Sequence, residues 1–184
     1  MIYLLVLFPL GMAAAIYLAP SNRWRPWLIP AGGCGHLGLV WTAIYSSAAG
    51  PPLSGLEGWL ILDALGKVVL GYLSVLFFIC SLYAPSYLAL RSDRPNRVFC
   101  ANLFGSLAMM TLVSISHHLG LMWVAMEATT LVSAPSIYFN HNPRSLEATY
   151  KYLLIGSVGI ALALFGSFFL AYSAHKAGLE STLK

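Results

Sequence analysis

The stretch LGLMWVAMEATTLVSAPSIYFN, residues 119–140, decides the fold of this chain. Its 22 residues are enough to cross a bilayer, since a membrane-spanning helix needs about 20 predominantly apolar residues. Glu127 is the only acidic residue in this or any other long apolar stretch of the chain, and no basic residue of this stretch can pair with it. An ionisable side chain at the centre of a membrane helix costs about 2.5–3.5 kcal/mol on insertion scales. The stretch therefore predicts a membrane helix, and Glu127 is its first candidate functional residue.

The composition of the whole chain agrees with a membrane location. Hydrophobic residues make up 59% of the sequence and charged residues 9%, whereas about 25% of a soluble domain is charged. The mean hydropathy is +0.76, so the class is an integral membrane protein in contact with the lipid bilayer. The net charge of +4 comes from scattered basic residues, which exclude a nucleic-acid surface and instead report on topology.

Six apolar stretches predict an all-α membrane protein with about six transmembrane helices, forming a single membrane domain over residues 1–184. The first stretch lacks a basic segment before it, which favours a retained span over a cleaved signal peptide. The long connection after the second stretch contains LEGWLILDALGK, residues 56–67, which either lies along the membrane interface or packs as a short loop. The predicted spans are about 2–19, 27–48, 68–90, 98–116, 119–140 and 152–174.

Basic residues concentrate in the odd-numbered connections, which must share one side of the membrane. By the positive-inside rule that side is cytoplasmic, so both termini lie on the opposite side of the cell's inner (plasma) membrane. These connections hold seven of the ten lysines and arginines: Arg23, Arg25, Arg91, Arg94, Arg97, Arg144 and Lys151.

The sixth stretch carries small residues at intervals of three or four, which lie on one face of a helix: Gly156, Gly159, Ala163 and Gly166. Small residues let helix backbones approach closely in lipid. The stripe predicts packing against another helix, although chance in a glycine-rich membrane chain is the alternative.

Four residues are candidates for a proton path. Thr130 shares the helix face of Glu127 and offers a hydroxyl; the alternative is that Glu127 only fixes helix packing. Lys151 follows Glu147 by four residues, so it is either an interfacial lysine or a stage for protons. His36 lies among glycines of the second stretch, where a hydrogen bond to a neighbouring helix is favoured over proton transfer.

The sequence contains no motif for a cofactor or for covalent catalysis. There is no P-loop, no GxGxxG and no nucleophile–base pattern, and the three cysteines have no metal-binding spacing. We therefore expect no cofactor or metal in this chain, and a membrane subunit that is not itself catalytic.

The segment WVAMEATTLVSAPSIYFNHNPRSLEATYKYLLIGSVGIALALFGSFFLAYSA, residues 123–174, resembles the antiporter-like, proton-conducting membrane subunits of respiratory complex I, Mrp antiporters and membrane-bound hydrogenases. Its EATTL and RSLEATYKYLLI motifs are most similar to component F of the hydrogenase-4 and formate-hydrogenlyase group. The resemblance implies that the chain corresponds to the N-terminal part of the antiporter-like fold.

In that family a glutamate on the fifth helix belongs to a charged axis that couples redox chemistry to ion movement. Glu127 stands at the matching position, and Lys151 belongs to the matching charged start of the next helix. Family members have about fourteen helices, and the lysines that complete the path lie beyond the sixth. The resemblance therefore implies other integral membrane subunits as partners, including a chain with the missing helices.

The function implied is that of a membrane subunit of an energy-converting oxidoreductase or ion-transport complex, contributing part of a proton or cation path. Two alternatives remain open. One is a structural scaffold paralogue with no working channel, and the other is part of a cation/proton antiporter or an inorganic-carbon uptake complex.

Overall fold

The computed structural model describes residues 1–21, 24–47, 53–91 and 94–177. Residues Arg23, Pro51, Pro52 and Lys184 lie outside these ranges. Within them the chain forms six α-helices, each overlapping one predicted span. They are α1 (Ile2–Leu18), α2 (Arg25–Ser46), α3 (Ala64–Ala89), α4 (Arg97–Ile115), α5 (Leu119–Ile137) and α6 (Pro143–Lys176).

Four of these helices, α2, α3, α4 and α6, are both long and apolar enough to cross a membrane. Helix α1 is also apolar but has 17 residues. Helix α5 has 19 residues and is made less apolar by Glu127 and its threonines and serines. The chain is therefore an all-α membrane protein, in agreement with the sequence prediction.

Helices α3 and α6 begin well before their apolar stretches because polar residues cap them. Asn142 accepts a hydrogen bond from the Ser145 N–H at 2.7 Å, and the Ser145 hydroxyl accepts from the Asn142 N–H at 3.1 Å. This capping box satisfies N–H groups that have no partner within a helix, so α6 begins nine residues before its predicted start. Asp63 caps α3 in the same way by accepting from Gly66 N–H at 2.6 Å.

The described part of the connection between α2 and α3, residues 53–63, packs as a short loop, one of the two expected arrangements. Strand β1 (Ser54–Gly55) pairs antiparallel with β2 (Leu60–Ile61) around a turn that carries positive φ angles. Leu60 also bridges to Ser116, which follows α4. The hairpin therefore closes one end of the bundle, which we call the hairpin end.

The basic connections meet at the opposite end, which we call the arginine end. Arg25 is only 5% exposed, and its guanidinium donates to the Ala19 carbonyl and to Asn96 Oδ1. Arg97 lies over the Tyr17 ring at 4.0 Å and donates to the Tyr17 carbonyl. These contacts join the α1–α2 and α3–α4 connections.

The α5–α6 connection reaches the same end of the bundle. Arg91 donates from Nη1 to Asn140 Oδ1 at 3.2 Å, and Arg94 donates from Nη1 to the Phe139 carbonyl at 3.1 Å. All three odd-numbered connections are thus tied together by arginine side chains.

Helix α4 is central to the packing: it contacts α1 on one side and α5 on another, while α3 packs mainly on α2. Two apolar clusters fill the interior. Ile16, Ile29 and Phe104 belong to the cluster nearer the arginine end, and Leu5 and Ile115 to the cluster nearer the hairpin end. Helix α6 lies outside this core and contacts mainly α5 and the turn that precedes α6.

Candidate proton-path site

Glu127 lies where α5 meets α6, and Ser157 is its hydrogen-bond partner. The Ser157 hydroxyl donates to Glu127 Oε1 at 2.7 Å, across 30 residues of sequence. A hydrogen bond to an ionised carboxylate is stronger than one between neutral groups. Within the described parts of the chain, Glu127 forms no ion pair. The carboxyl group is therefore held by a hydroxyl and lacks a cationic partner among those residues.

Thr130 is buried on the same side of α5, but it does not hydrogen-bond to Glu127. Its hydroxyl donates to the Met126 carbonyl of its own helix at 3.3 Å. Its methyl group instead packs on α6, because a Cβ added at Gly156 would lie 3.0 Å from Thr130 Cγ2. Thr130 thus sets the close approach of α5 and α6 beside the carboxyl group.

Sequence reasoning missed Ser157. A serine hydroxyl can donate and accept hydrogen bonds, and this one lies in an apolar helix beside the first glycine of the small-residue stripe. A hydroxyl in an otherwise apolar helix was a usable signal, because a polar side chain in lipid usually finds a hydrogen-bond partner on a neighbouring helix. The signal could not indicate which helix would be the neighbour.

Trp123, one turn before Glu127 on α5, leaves a polar atom without a partner. Its indole Nε1 is buried and makes no hydrogen bond to any described residue. Indole N–H is a donor only. The region around Glu127 therefore has an unused donor as well as a carboxylate.

Lys151 does not approach Glu127. Its ammonium group pairs with Glu147 one turn earlier on α6, and the two side chains are 68% and 63% exposed. Such exposed pairs contribute only tenths of a kcal/mol. Lys151 precedes Ser157 by six residues, about 9 Å along the axis at about 1.5 Å per residue, and faces another direction.

His36 is completely buried in the centre of the bundle, away from the α5–α6 contact. Its Nδ1 lies 3.0 Å from the Ser74 hydroxyl on α3, and its Nε2 lies 3.3 Å from the Thr111 hydroxyl on α4. The Thr111 proton goes to the Leu107 carbonyl at 2.7 Å, so we assign Nε2–H as the donor to Thr111. The hydrogen bond expected for His36 is therefore present, to two helices.

The small-residue stripe on α6 is packed at one end only. Gly156 meets Thr130, whereas a Cβ added at Gly159 or Gly166 would have no neighbouring atom within 4 Å, and Ala163 is exposed. Of all the residues in α6, only Ser145 is buried. Packing along the rest of the stripe remains a prediction that concerns helices outside the described chain.

Comparison with known proteins gives similarity to subunits of two kinds of membrane complex. The chain is 33% identical over 121 residues to a hydrogenase-4 component F homolog of Methylacidiphilum infernorum, covering 62% of this chain and 25% of the relative. It is 26% identical over 168 residues to NADH-quinone oxidoreductase subunit N of Alkalilimnicola ehrlichii, covering 90% of this chain and 33% of the relative. It is 45% identical over 69 residues to NADH-ubiquinone oxidoreductase chain 2 of Gallus gallus, covering 37% of this chain and 20% of the relative.

The matches cover only part of each relative, since the chain spans no more than a third of the length of any of the three. A search of protein-family models finds no match. The relatives nevertheless agree with the resemblance carried by the segment around Glu127 and the start of α6. Over part of its length, the chain thus matches the antiporter-like membrane subunits of the complex I and hydrogenase family.

Proposed function

We propose that this protein is a membrane subunit of an energy-converting oxidoreductase complex and that Glu127 contributes to its proton path. The observation that carries the proposal is the position of the Glu127 carboxyl group. It lies in the apolar part of the bundle, hydrogen-bonded to Ser157 and without an ion pair among the described residues. Ionisable groups within membrane helices usually serve charge or proton movement, because their insertion is costly.

A carboxyl group held by a hydroxyl is suited to change its protonation state. Ser157 can donate to the ionised form and accept from the protonated form, so its hydrogen bond adapts to either state. A cation from outside the described residues would form an ion pair with the ionised form and not with the protonated form. Alternation between these two states is what a proton path requires of Glu127.

The cation would come from helices that cover α6. The outward stripe of Gly159, Ala163 and Gly166 is exposed, and small residues favour close helix packing in lipid. We assign this face to the remaining helices of the antiporter-like fold, whichever polypeptide carries them. Lys151 then belongs to the entry of α6, where it pairs with Glu147.

The arginine end would face the cytoplasm in the plasma (inner) membrane. Support comes from the concentration of arginines at the three connections that meet there, since basic residues accumulate in cytoplasmic loops.

The test is Glu127→Gln in the intact complex, with transport measured by a pH-sensitive dye in membrane vesicles while the redox reaction runs. Glutamine keeps the size and the hydrogen bond to Ser157 but cannot ionise. We expect assembly to be unchanged and coupled proton transport to fall. Glu147→Gln is the matched control, because it removes an exposed carboxylate from the adjacent helix. Wild-type transport in Glu127→Gln would overturn the proposal.

A structural scaffold is the second candidate, and one observation favours it. The Ser157–Glu127 hydrogen bond joins α5 to α6, which is also what a carboxyl group with a packing role would do. In that case Glu127→Gln is silent, whereas Glu127→Ala releases α6 and reduces assembly of the complex, measured by co-purification.

A further inference from the structure

An apolar groove runs between α3 and α4 in the half of the bundle nearest the arginine end. The two helices are consecutive, yet α3 packs mainly on α2 and α4 packs on α1 and α5. The space left between them has a volume of about 270 Å³. Its walls include Phe77, Cys80, Tyr83, Tyr87, Phe99 and Leu103.

The groove has the length of one leaflet of a membrane. From Phe77 to Tyr87 the chain advances ten residues along α3, or about 15 Å at about 1.5 Å per residue. The hydrocarbon core of a bilayer is about 30 Å thick, so a single leaflet contributes about 15 Å. A chain lying in the groove would therefore end at the arginine end, where the headgroup layer is expected.

A continuous aromatic path leads from the groove to fixed cations. The Tyr87 and Phe99 rings are 6.1 Å apart, and the Phe99 and Phe139 rings are 4.8 Å apart. The Phe139 carbonyl accepts from Arg94, and the adjacent Asn140 accepts from Arg91. Arg91 follows the groove residue Tyr87 by four residues, so the two guanidinium groups held by the α5–α6 connection lie beyond the end of the groove, which we call its mouth.

The charge at this mouth favours an anion. Residues 91–97 contain three arginines and one aspartate. Among the described acidic residues, Glu147 is the one at this end, and it is paired with Lys151. The Arg91 side chain has five N–H donors and makes one hydrogen bond to the described residues, from Nη1 to Asn140.

We propose that this groove binds an anionic phospholipid, with one acyl chain between α3 and α4 and its phosphate on Arg91. A guanidinium group matches phosphate oxygens in geometry and charge. The tyrosines near the mouth suit the headgroup level, where aromatic residues with a polar group accumulate. A helix of a partner protein does not fit inside, because 15 Å of helix about 10 Å across fills on the order of 1,000 Å³.

The experiment uses the full chain, purified with its partner subunits in mild detergent from membranes containing phosphatidylglycerol and phosphatidylethanolamine. Retained lipid is quantified by mass spectrometry after extensive washing. We expect the wild type to retain phosphatidylglycerol. In Arg91→Gln the retained amount should fall about fivefold, since one basic residue near an anionic surface contributes about that factor to lipid binding. Arg144→Gln is the charge-matched control, because Arg144 is an exposed arginine at the same end but outside the groove.

A second pair of variants tests the acyl chain without changing charge. Cys80 is exposed at the edge of the groove, so Cys80→Trp should fill it and lower retention of phosphatidylglycerol. Ile79→Trp places the same bulk on an exposed neighbouring position that does not line the groove. Equal retention in all variants, equal loss in Arg91→Gln and Arg144→Gln, or preference for phosphatidylethanolamine would overturn the proposal. Loss of partner subunits in Cys80→Trp alone would also overturn it, because it would show that protein covers the groove.

Discussion

At the scale of single residues, the pairing of Glu127 with Ser157 organises the candidate site. The carboxylate alone could be identified in the sequence as the one acidic residue of the long apolar stretches. Its hydroxyl partner comes from the next helix, 30 residues later. Thr130 shares the helix face of Glu127, but its hydroxyl donates to a backbone carbonyl of its own helix and its methyl group packs against Gly156. The residue that holds the carboxyl group is therefore Ser157.

We predict that Ser157→Ala slows coupled proton transport by about tenfold or more. A hydrogen bond to a charged group contributes about 1.5–3 kcal/mol, and its loss leaves the carboxylate without its partner. Ser157→Thr, which keeps the hydroxyl, should retain most of the activity. Transport in vesicles is the measurement.

Ser167→Ala is the control for this prediction. Ser167 lies on the same helix, but its hydroxyl donates to the Ala163 carbonyl of that helix at 3.0 Å. Equal slowing by Ser157→Ala and Ser167→Ala would mean that loss of any α6 hydroxyl disturbs the helix, and the specific role of Ser157 would be rejected.

At the scale of elements, α6 differs from the other helices. It is the longest helix, with 34 residues, and Ser145 is its one buried residue. Gly156 packs against Thr130 of α5, while the small residues further along α6 face outward. A helix that is apolar all round is normally buried in protein or lipid. The glycines on one face of α6 favour close packing of another helix against that face.

We predict that Gly159→Leu and Gly166→Leu weaken association with partner helices. Leucine side chains would hold apart two backbones that small residues allow to approach. The measurement is the amount of partner subunits that co-purify with the tagged chain, which should fall in both variants.

Ala161→Leu is the matched control, since Ala161 is exposed on a different face of α6. It should leave co-purification unchanged. If the glycine variants behaved like Ala161→Leu, the stripe would face lipid rather than a helix.

At the scale of the whole molecule, the arginines connect three loops into one end of the bundle, and the hairpin closes the other. Arg91 and Arg94 reach the α5–α6 connection, while Arg97 reaches the end of α1. At the hairpin end, Tyr3 accepts from Leu56 N–H at 2.9 Å. The two ends thus differ in charge as well as in structure.

We predict that the two ends are reached from opposite sides of the membrane. In a chain whose native cysteines are replaced by serine, Arg144→Cys should react with a membrane-impermeant thiol reagent only from the cytoplasm. Glu57→Cys, in the exposed hairpin turn, should react only from the other side. The reagent is added to intact cells, where it reaches the outer side of the membrane, and to inverted vesicles, where it reaches the cytoplasmic side. The reverse pattern would contradict the proposed orientation.

The structure departs from the sequence prediction mainly at polar residues near helix starts. Hydropathy places α6 at 152, whereas the capping box of Asn142 and Ser145 starts it at Pro143. The sequence leaves two interpretations of residues 56–67, along the interface or as a short loop, and it does not predict the hairpin because strands of two residues carry no periodic pattern. Its position depends on pairing with Ser116, which is distant in sequence.

The sequence by itself determined the class of protein, the approximate places of its six helices, the clustering of the basic loops at one end of the bundle and the isolated carboxyl group. These properties follow from local composition and helix rise, which need no knowledge of neighbours. Only the tertiary structure decided that Ser157 is the hydrogen-bond partner of Glu127 and that His36 hydrogen-bonds to both α3 and α4. It also decided that an apolar groove lies between α3 and α4. The physical reason is that these helices are apolar all round. An amphipathic helix indicates its inner face by its polar side, whereas in lipid the contacting faces are chosen by packing between helices.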